Sequence, residues 1–136
     1  MFTSLAIGLS GLLASDLRLD AAASNIANMD TVGPVPPVKP TTKGSPSPLY
    51  QPVVVDQTAV AGGGTNATVR NTIPSHVPAY DPQSRFADAH GIVAAPNVDP
   101  MREMMNITLA MRSAELNAQV ISATSAMVKR LYERKD

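Results

Sequence analysis

The sequence predicts a mainly α-helical protein. An N-terminal and a C-terminal helix are expected to pair as an antiparallel coiled-coil-like unit, with a small β-hairpin and an extended, proline-rich middle between them. All 12 prolines lie between Pro34 and Pro100, so both ends of the 136-residue chain are free to be helical. Both ends also contain long stretches without charge, at residues 1–15 and 116–128. The predicted segments are an N-terminal helix at 1–32, a proline-rich loop with a small β or extended region at 33–98, and a C-terminal helix at 99–136.

Composition argues against several classes of function. The 11 Lys and Arg residues balance 11 Asp and Glu residues, so no positive field draws the chain to nucleic acid or to an anionic membrane. The absence of cysteine excludes disulfides, thiolate metal sites and thiol redox chemistry. With three Tyr, two Phe and no Trp, the middle segment has little bulk for a core, and its order is expected to depend on neighbours.

The uncharged start of the chain, residues 1–15, has the composition of the apolar region of a secretory signal. A cleaved signal normally carries Lys or Arg before its apolar run, whereas the first cation here is Arg18, after that run. A transmembrane span needs about 20 consecutive apolar residues, and Asp16, Arg18 and Asp20 interrupt the run too early. We therefore expect neither a cleaved signal nor a direct membrane span in this segment.

The N-terminal segment has the apolar spacing of a packed helix. Its large apolar residues recur every three, four or seven positions, at Phe2, Leu5, Leu9, Leu12, Leu19 and Ile26. Leu13 and Leu17 widen this stripe, which indicates contact with more than one neighbour. Gly8 and Gly11 permit close approach but weaken the isolated helix, by roughly 1 kcal/mol each relative to alanine. The helix is expected to end before Gly33.

The middle segment is predicted to contain little regular structure. Six prolines within residues 33–48 favour extended polyproline conformations, which indicates a linker or an exposed insertion. Two β-prone runs, residues 50–58 and 67–73, flank a run of three glycines and predict a short hairpin or two small strands. Residues 74–98 are predicted to be extended chain that leads into the second helix.

The second helix has clear start signals. Asp99 is a suitable N-cap, Pro100 follows where a missing N–H costs nothing, and Glu103 lies near the positive end of the helix dipole. No Gly or Pro occurs from there to Tyr132, which allows a rod of roughly 50 Å at 1.5 Å per residue. Its large apolar residues are spread over more than one face, a surface that a monomer would struggle to cover.

Antiparallel packing would bring the two uncharged stretches opposite each other. In that register Leu5 lies near Met127, and Asp20 lies near Arg112. The apolar surface that remains is expected to be buried between copies of the chain or against related chains.

Motifs in both helices resemble those of bacterial flagellar rod, hook and related axial proteins. The N-terminal motifs are Ser10-Gly11-Leu12, Arg18-Leu19, and Asn25-Ile26-Ala27-Asn28 with Thr31. Before the second helix, the chain is similar to the short proximal-rod members of that family at Tyr80-Asp81-Pro82, Ala87-Asp88-Ala89-His90-Gly91 and Ala95-Pro96-Asn97-Val98-Asp99. The resemblance covers roughly residues 5–31 and 80–131. It departs at the long insertion of residues 33–48 and at Ala114-Glu115-Leu116-Asn117, where the family commonly has Tyr-Gln-Ala-Asn.

The resemblance implies a structural subunit of the flagellar proximal rod, the drive shaft that crosses the periplasm and transmits torque from the motor to the hook. It implies other copies of the chain and other rod proteins as partners in a helical tube. It also implies passage through the flagellar type III export apparatus without a cleaved signal. Broad apolar helices that order only on joining neighbours agree with such a role.

The assembly interface is predicted from the family motif and from the apolar helix faces. Its predicted residues are Leu5, Leu9, Leu12, Leu19, Asn25, Ile26, Asn28, Thr31, Asn97, Met104, Met111, Arg112, Asn117, Val120, Met127 and Leu131. For Asn25 and Asn28 two compatible roles stay open: satisfying the free carbonyls at the helix end, or contacting a neighbouring subunit. The methionines indicate adaptable packing rather than a metal site, because no His or Cys accompanies them at ligand spacing.

The sequence offers no support for catalysis, a cofactor or a small-molecule substrate. The only histidines, His76 and His90, lie in the proline-rich segment without partners at helical spacing. The three glycines precede Thr65-Asn66 rather than the Lys-Ser/Thr of a phosphate loop. Two alternatives to the rod subunit stay open: an amphipathic-helix protein at membrane surfaces and a two-helix adaptor or chaperone. Circular dichroism of the purified chain, with and without vesicles, distinguishes them.

Overall fold

The computed structural model describes residues 2–35 and 49–134, which form two long helices and four short strands. In chain order the elements are α1 (Phe2–Ala27), β1 (Val53–Ala59), β2 (Thr65–Asn71), β3 (His76–Tyr80), β4 (Ile92–Pro96) and α2 (Pro100–Glu133). Most of the predicted proline-rich insertion, residues 36–48, lies outside the described residues. No helix in the described ranges is both long and apolar enough to cross a bilayer.

The two helices pack against each other in opposite directions, with glycines of α1 at the closest contacts. A Cβ atom added at Gly8 would lie 2.9 Å from Cγ1 of Ile121, and one added at Gly11 would lie 2.7 Å from the side-chain amide of Asn117. α1 therefore presents bare backbone where side chains of α2 approach it.

The register of this pair differs from the predicted one by about one helical turn. Gly11 faces Asn117 and Gly8 faces Ile121. In an antiparallel pair the two residue numbers of each facing pair add to a nearly constant sum, which here is 128 or 129. The predicted pairs, Leu5 with Met127 and Asp20 with Arg112, add to 132. The apolar and uncharged patterns do not determine the register, because a shift of one turn leaves them nearly unchanged. The same shift would remove the contacts at the two glycines. Coiled-coil geometry for the pair stays a prediction.

The start of α2 confirms the predicted cap. Oδ1 of Asp99 accepts hydrogen bonds from the backbone N–H groups of Met101 at 3.0 Å and Arg102 at 3.4 Å. Pro100 is the first residue of the helix, and Glu103 lies in its first turn. The cap satisfies two donors that would otherwise lack a partner, so α2 begins where the sequence predicts.

We expect Asp99→Ala to destabilise the first turn of α2 by about 1 kcal/mol, because it removes the acceptor for two N–H groups. Asp99→Ser should recover most of that loss, since a serine hydroxyl also accepts at this position. Amide hydrogen exchange at Met101 and Arg102 measures the effect directly. Asp16→Ala is the matched control, an exposed carboxylate on α1 removed with the same change of charge. Equal exchange rates in the two alanine variants would contradict the capping role.

β1 and β2 form the predicted hairpin, and its tip lies on α1. The turn contains Gly62–Gly64, whose φ angles of 94° to 102° favour glycine. A Cβ atom at Gly63 would lie 2.7 Å from Cδ1 of Ile7. The backbone N–H of Thr65 donates to Oγ of Ser10 at 3.1 Å. α1 is thus covered by α2 on one side and by this hairpin on another.

A second hairpin replaces the extended chain predicted for residues 74–98. β3 and β4 pair antiparallel, and Val93 of β4 is fully buried. Gly33 pairs with Ala94 through two backbone hydrogen bonds of 2.9 Å, so the segment after α1 lies along the edge of this small sheet. Each of the two runs contains a proline, Pro78 or Pro96, which argues against a strand when the sequence is read alone.

Candidate assembly interface

The interior of the folded chain is built from small side chains. The buried apolar residues of the helices are Ala14, Ala21, Ala22 and Ala110. The largest fully buried side chains are Val93 and Pro52, both in the β region. Alanine contacts bring α1 and α2 close together but remove little apolar area from water. The helix pair therefore leaves many of its large apolar side chains only half-buried or exposed.

α2 carries those residues on its outer faces. Ten of its side chains are 49–72% exposed, namely Met101, Met104, Met105, Leu109, Met111, Leu116, Val120, Met127, Leu131 and Tyr132. On α1, Ile7, Leu9 and Leu13 are exposed as well. Large apolar surfaces that a soluble protein leaves exposed mark sites of protein association. We refer to these exposed side chains of the two helices as the outer apolar faces.

The predicted interface residues fall into groups of different burial. Exposed apolar side chains are Leu9, Met104, Met111, Val120, Met127 and Leu131. Arg112 is also exposed. Half-buried residues are Leu5, Leu12, Leu19, Ile26, Asn28, Thr31, Asn97 and Asn117. Asn25 is buried.

Asn25 links α1 to the hairpin within the chain. Its Nδ2 donates to the carbonyl of Val53 at 2.8 Å, and its Oδ1 accepts from the Val53 N–H at 2.9 Å. The hydroxyl of Tyr50 donates to the same Oδ1 at 3.0 Å and also lies 3.0 Å from Oγ of Ser24. The side-chain amide therefore pairs with the first residue of β1 as a strand backbone would. Sequence reasoning missed Tyr50 and Val53, because they are more than 20 residues away along the chain.

Asn28 and Thr31 end α1 by local hydrogen bonds. Nδ2 of Asn28 donates to the carbonyl of Ser24 at 2.9 Å, and Oγ1 of Thr31 donates to the carbonyl of Asn28 at 2.7 Å. The carbonyl of Ser24 also accepts the backbone N–H of Asn28 at 3.2 Å, so the side chain adds a second donor to a carbonyl that is already bonded. The capping role of Asn28 and its contact with a neighbouring subunit both stay predictions.

Two further asparagines of the predicted interface are also held within the chain. Nδ2 of Asn97 donates to the carbonyl of Pro74 at 2.9 Å and so joins the approach of α2 to the start of β3. Nδ2 of Asn117 donates to the carbonyl of Ser113 at 2.9 Å, beside Gly11 of α1. The bond of Asn97 therefore links two connecting segments, whereas that of Asn117 stays within α2.

A cleft of about 450 Å³ lies between α1, β1 and the start of α2. Arg18 and Arg102 line it together with Glu103, which is buried and accepts a hydrogen bond from Nδ2 of Asn106 at 3.1 Å. Across residues 2–35 and 49–134, no three His, Asp or Glu side chains are grouped as a metal site requires. The cleft has a polar rim, but its residues do not form a catalytic arrangement.

Two family models match the chain at its two ends. The model described as "Flagella basal body rod protein" matches residues 5–34. The model described as "Flagellar basal body rod FlgEFG protein C-terminal" matches residues 89–133. The first match spans most of α1, and the second spans β4 and all of α2. The matched residues thus contain the outer apolar faces of both helices.

Similar proteins have the same name in several bacteria. The "Flagellar basal-body rod protein FlgC" of Bacillus subtilis is 31% identical, over 97% of this chain and 96% of its own length. The proteins of that name in Escherichia coli O157:H7 and in Salmonella typhimurium are each 38% identical, over 88% of this chain and 86% of their own length.

The helical ends, their outer apolar faces and these matches define a class, that of the structural proteins of the flagellar basal-body rod. The chain is a structural subunit of that rod, assembles with other rod components and is not an enzyme. Within that class, the chain belongs to the FlgC family. Family membership decides against the membrane-surface and adaptor alternatives.

Proposed function

We propose that this chain builds the proximal part of the rod as a tube subunit whose helices complete their packing against neighbouring chains, and that the tube transmits motor torque. The observation that carries the proposal is the contrast between an alanine-lined helix contact and ten large side chains of α2 that are 49–72% exposed. A subunit built in this way gains most of its apolar burial on assembly rather than on folding.

Folding and assembly are coupled under this proposal. Fully burying a large apolar side chain contributes about 1.5–3 kcal/mol, and the outer apolar faces realise only part of that in the single chain. Ordering the helices costs conformational entropy, which the intersubunit contacts offset. The free chain is accordingly expected to be folded but only modestly stable and sensitive to protease, and to become resistant in basal bodies.

Export by the flagellar type III apparatus and a position in the periplasmic part of the rod belong to the same proposal. The apolar residues 1–15 are part of the fold in this view, and their contacts support it. Gly8 and Gly11 lie against α2, and Ser10 accepts a hydrogen bond from the β1–β2 hairpin. Removing this segment as a signal would take away these contacts with both elements.

The test is to place charge on an outer apolar face. Leu116 and Val120 are 63% and 49% exposed and lie one turn apart on α2. We expect Leu116→Glu with Val120→Glu to abolish rod formation and motility, because two carboxylates would be buried without partners. The free chain should lose no more than about 1–1.5 kcal/mol, from two surface substitutions of about 0.5 kcal/mol each and the repulsion between the two carboxylates.

Leu116→Met with Val120→Ile is the matched control, because it keeps both positions apolar at nearly the same volume. Cells with this control variant are expected to swim and to contain normal basal bodies. Electron microscopy of basal bodies and a motility assay read out both variants. Normal rods in cells that make only the Glu variant would refute the proposal.

A further inference from the structure

The first third of α2 places most of its exposed apolar surface on methionine. Five of the chain's seven methionines are 55–71% exposed on this helix, namely Met101, Met104, Met105, Met111 and Met127. Four of these five lie between residues 101 and 111, where Leu109 is the remaining exposed large apolar residue. We call residues 101–111 the methionine segment. Its outer surface is therefore mainly thioether, unlike the later turns of α2, where leucine and valine predominate.

The four methionines of the segment lie away from the buried side of α2. Glu103 and Ala110 are buried and stand seven positions apart, so they mark the side of the helix that packs on the chain. At about 100° per residue, each of the four methionines lies a quarter of a turn or more from that side. Water and small solutes therefore reach them in the single chain.

Methionine is the only sulfur-containing residue of this chain, because the sequence has no cysteine. Hydrogen peroxide transfers one oxygen atom to a methionine sulfur, so that an S–O bond forms and the O–O bond breaks. The second peroxide oxygen takes the proton of the first and leaves as water. The sulfur loses two electrons, and the peroxide gains them. The product is a polar sulfoxide, which methionine sulfoxide reductases convert back to the thioether.

We propose that peroxide oxidation of the methionine segment prevents the free chain from joining the rod, and that reduction of the sulfoxides restores assembly. The proposal rests on the function proposed above and names a regulation of the same outer apolar faces. In the free chain water solvates a sulfoxide oxygen, whereas between subunits that oxygen would be buried without a donor, which costs free energy. After assembly the neighbouring subunits cover the segment and exclude peroxide. Oxidation thus acts on the chain before it is incorporated.

Oxidation rates in the two states of the protein test the first half of the proposal. The purified chain and isolated basal bodies are treated with the same concentration of hydrogen peroxide, and sulfoxides are located by mass spectrometry of peptides. Met29, which is half-buried just after α1, is the internal reference. We expect the four methionines of the segment to react about fivefold faster than Met29 in the free chain, and about fivefold slower in basal bodies than in the free chain.

Variants of the segment test the effect on assembly. The segment-Leu variant carries Met101→Leu, Met104→Leu, Met105→Leu and Met111→Leu, which removes the thioethers at nearly constant volume. Cells that make only one form of the chain grow with and without a sublethal concentration of peroxide, and their basal bodies are counted by electron microscopy. We expect peroxide to lower the count about fivefold with the natural chain and less than about twofold with the segment-Leu variant.

Met127→Leu is the matched control, because it removes an exposed methionine of the same helix outside the segment. We expect it to leave the sensitivity to peroxide unchanged. Glutamine at the four segment positions places a polar side chain where the sulfoxides would be, and should prevent rod formation even without peroxide. Met104→Leu with Met111→Leu changes half of the segment and should give partial protection, which keeps the test valid if four substitutions impair the rod.

Equal oxidation in free chain and basal bodies, equal loss of basal bodies with and without the segment methionines, or rods built by the glutamine variant would each overturn the proposal. Protection by Met127→Leu alone would overturn the assignment to the methionine segment. These failures leave the rod function intact if Leu116→Glu with Val120→Glu still abolishes rods. Normal rods in that variant refute the proposed function, whatever the peroxide experiments show.

Discussion

Asn25→Ala is expected to destabilise the folded chain by about 2–4 kcal/mol and to release the start of β1 from α1. The substitution leaves the N–H and carbonyl of Val53 without their side-chain partner and removes one of the two contacts of the Tyr50 hydroxyl, and Asn25 is only 2% exposed. Each buried polar group without a partner costs about 1–3 kcal/mol, reduced here where water enters the space left by the side chain. Denaturant unfolding monitored by circular dichroism measures the loss.

Asn28→Ala is the matched control for this prediction, because it removes an asparagine of the same motif that bonds only a carbonyl at the helix end. We expect it to cost about 1 kcal/mol or less. Equal losses of unfolding free energy in the two variants would show that the hydrogen bonds between Asn25 and Val53 add no stability beyond that of a local helix-end bond. A stable Asn28→Ala chain that fails to form rods would instead support the predicted contact of Asn28 with a neighbouring subunit.

Asn25→Asp provides a second test with a defined pH dependence. The carboxylate keeps the shape of the amide, but it places an oxygen where Nδ2 of Asn25 donates to the Val53 carbonyl, so two oxygens face each other. Burial and this carbonyl raise the folded-state pKa of the new side chain above its unfolded value of about 3.9. The variant should therefore regain stability relative to the wild type as pH falls through the raised pKa, because the protonated carboxyl again donates. A deficit that does not shrink toward acid pH contradicts this geometry.

Gly8→Val together with Gly11→Val is expected to force α1 and α2 apart and to abolish rod formation. The added Cβ atoms would lie 2.9 Å from Cγ1 of Ile121 and 2.7 Å from the amide of Asn117, closer than side chains tolerate. Overpacking of this kind costs about 1–3 kcal/mol at each site, which exceeds the modest gain in helix propensity from removing glycine. Unfolding of the purified chain and complementation of motility measure the effect.

Ala6→Val together with Ala23→Val is the control for the glycine variants. Both alanines are exposed on α1, so valine there brings only its lower helix propensity, about 0.5 kcal/mol per site. Cells with this control are expected to be motile. If the glycine variant were no less stable than the control, the prediction that valine overpacks the contact between α1 and α2 would be wrong.

Local signals explain why the element types were predictable. Asp99 and Pro100 mark the start of α2 by residues that act within one turn, and Asp99 caps that helix. Gly62–Gly64 separate two β-prone runs, and the hairpin forms there. These signals need only neighbouring residues, so they can be recognised without a tertiary structure.

The candidate site was predictable in outline. Exposed side chains such as Met104 and Val120 were predicted from an apolar pattern broader than one packed face needs. The internal role of Asn25 was not predicted, because a short polar residue near a helix end has many partners within reach. Its actual partner, Val53, lies 28 residues away, and no local rule connects the two.

The sequence by itself determined the helical ends, the cap of α2, the first hairpin and the surplus of apolar surface, because proline placement, capping and periodicity act over a few residues. Tertiary structure alone decided the register of α1 on α2, the link from Asn25 to β1 and the formation of the β3–β4 hairpin. Each of these depends on contacts between distant segments. Gly8 and Gly11 show the difference: the sequence marks them as places of close approach, but only the packed helices show that Ile121 and Asn117 fill them.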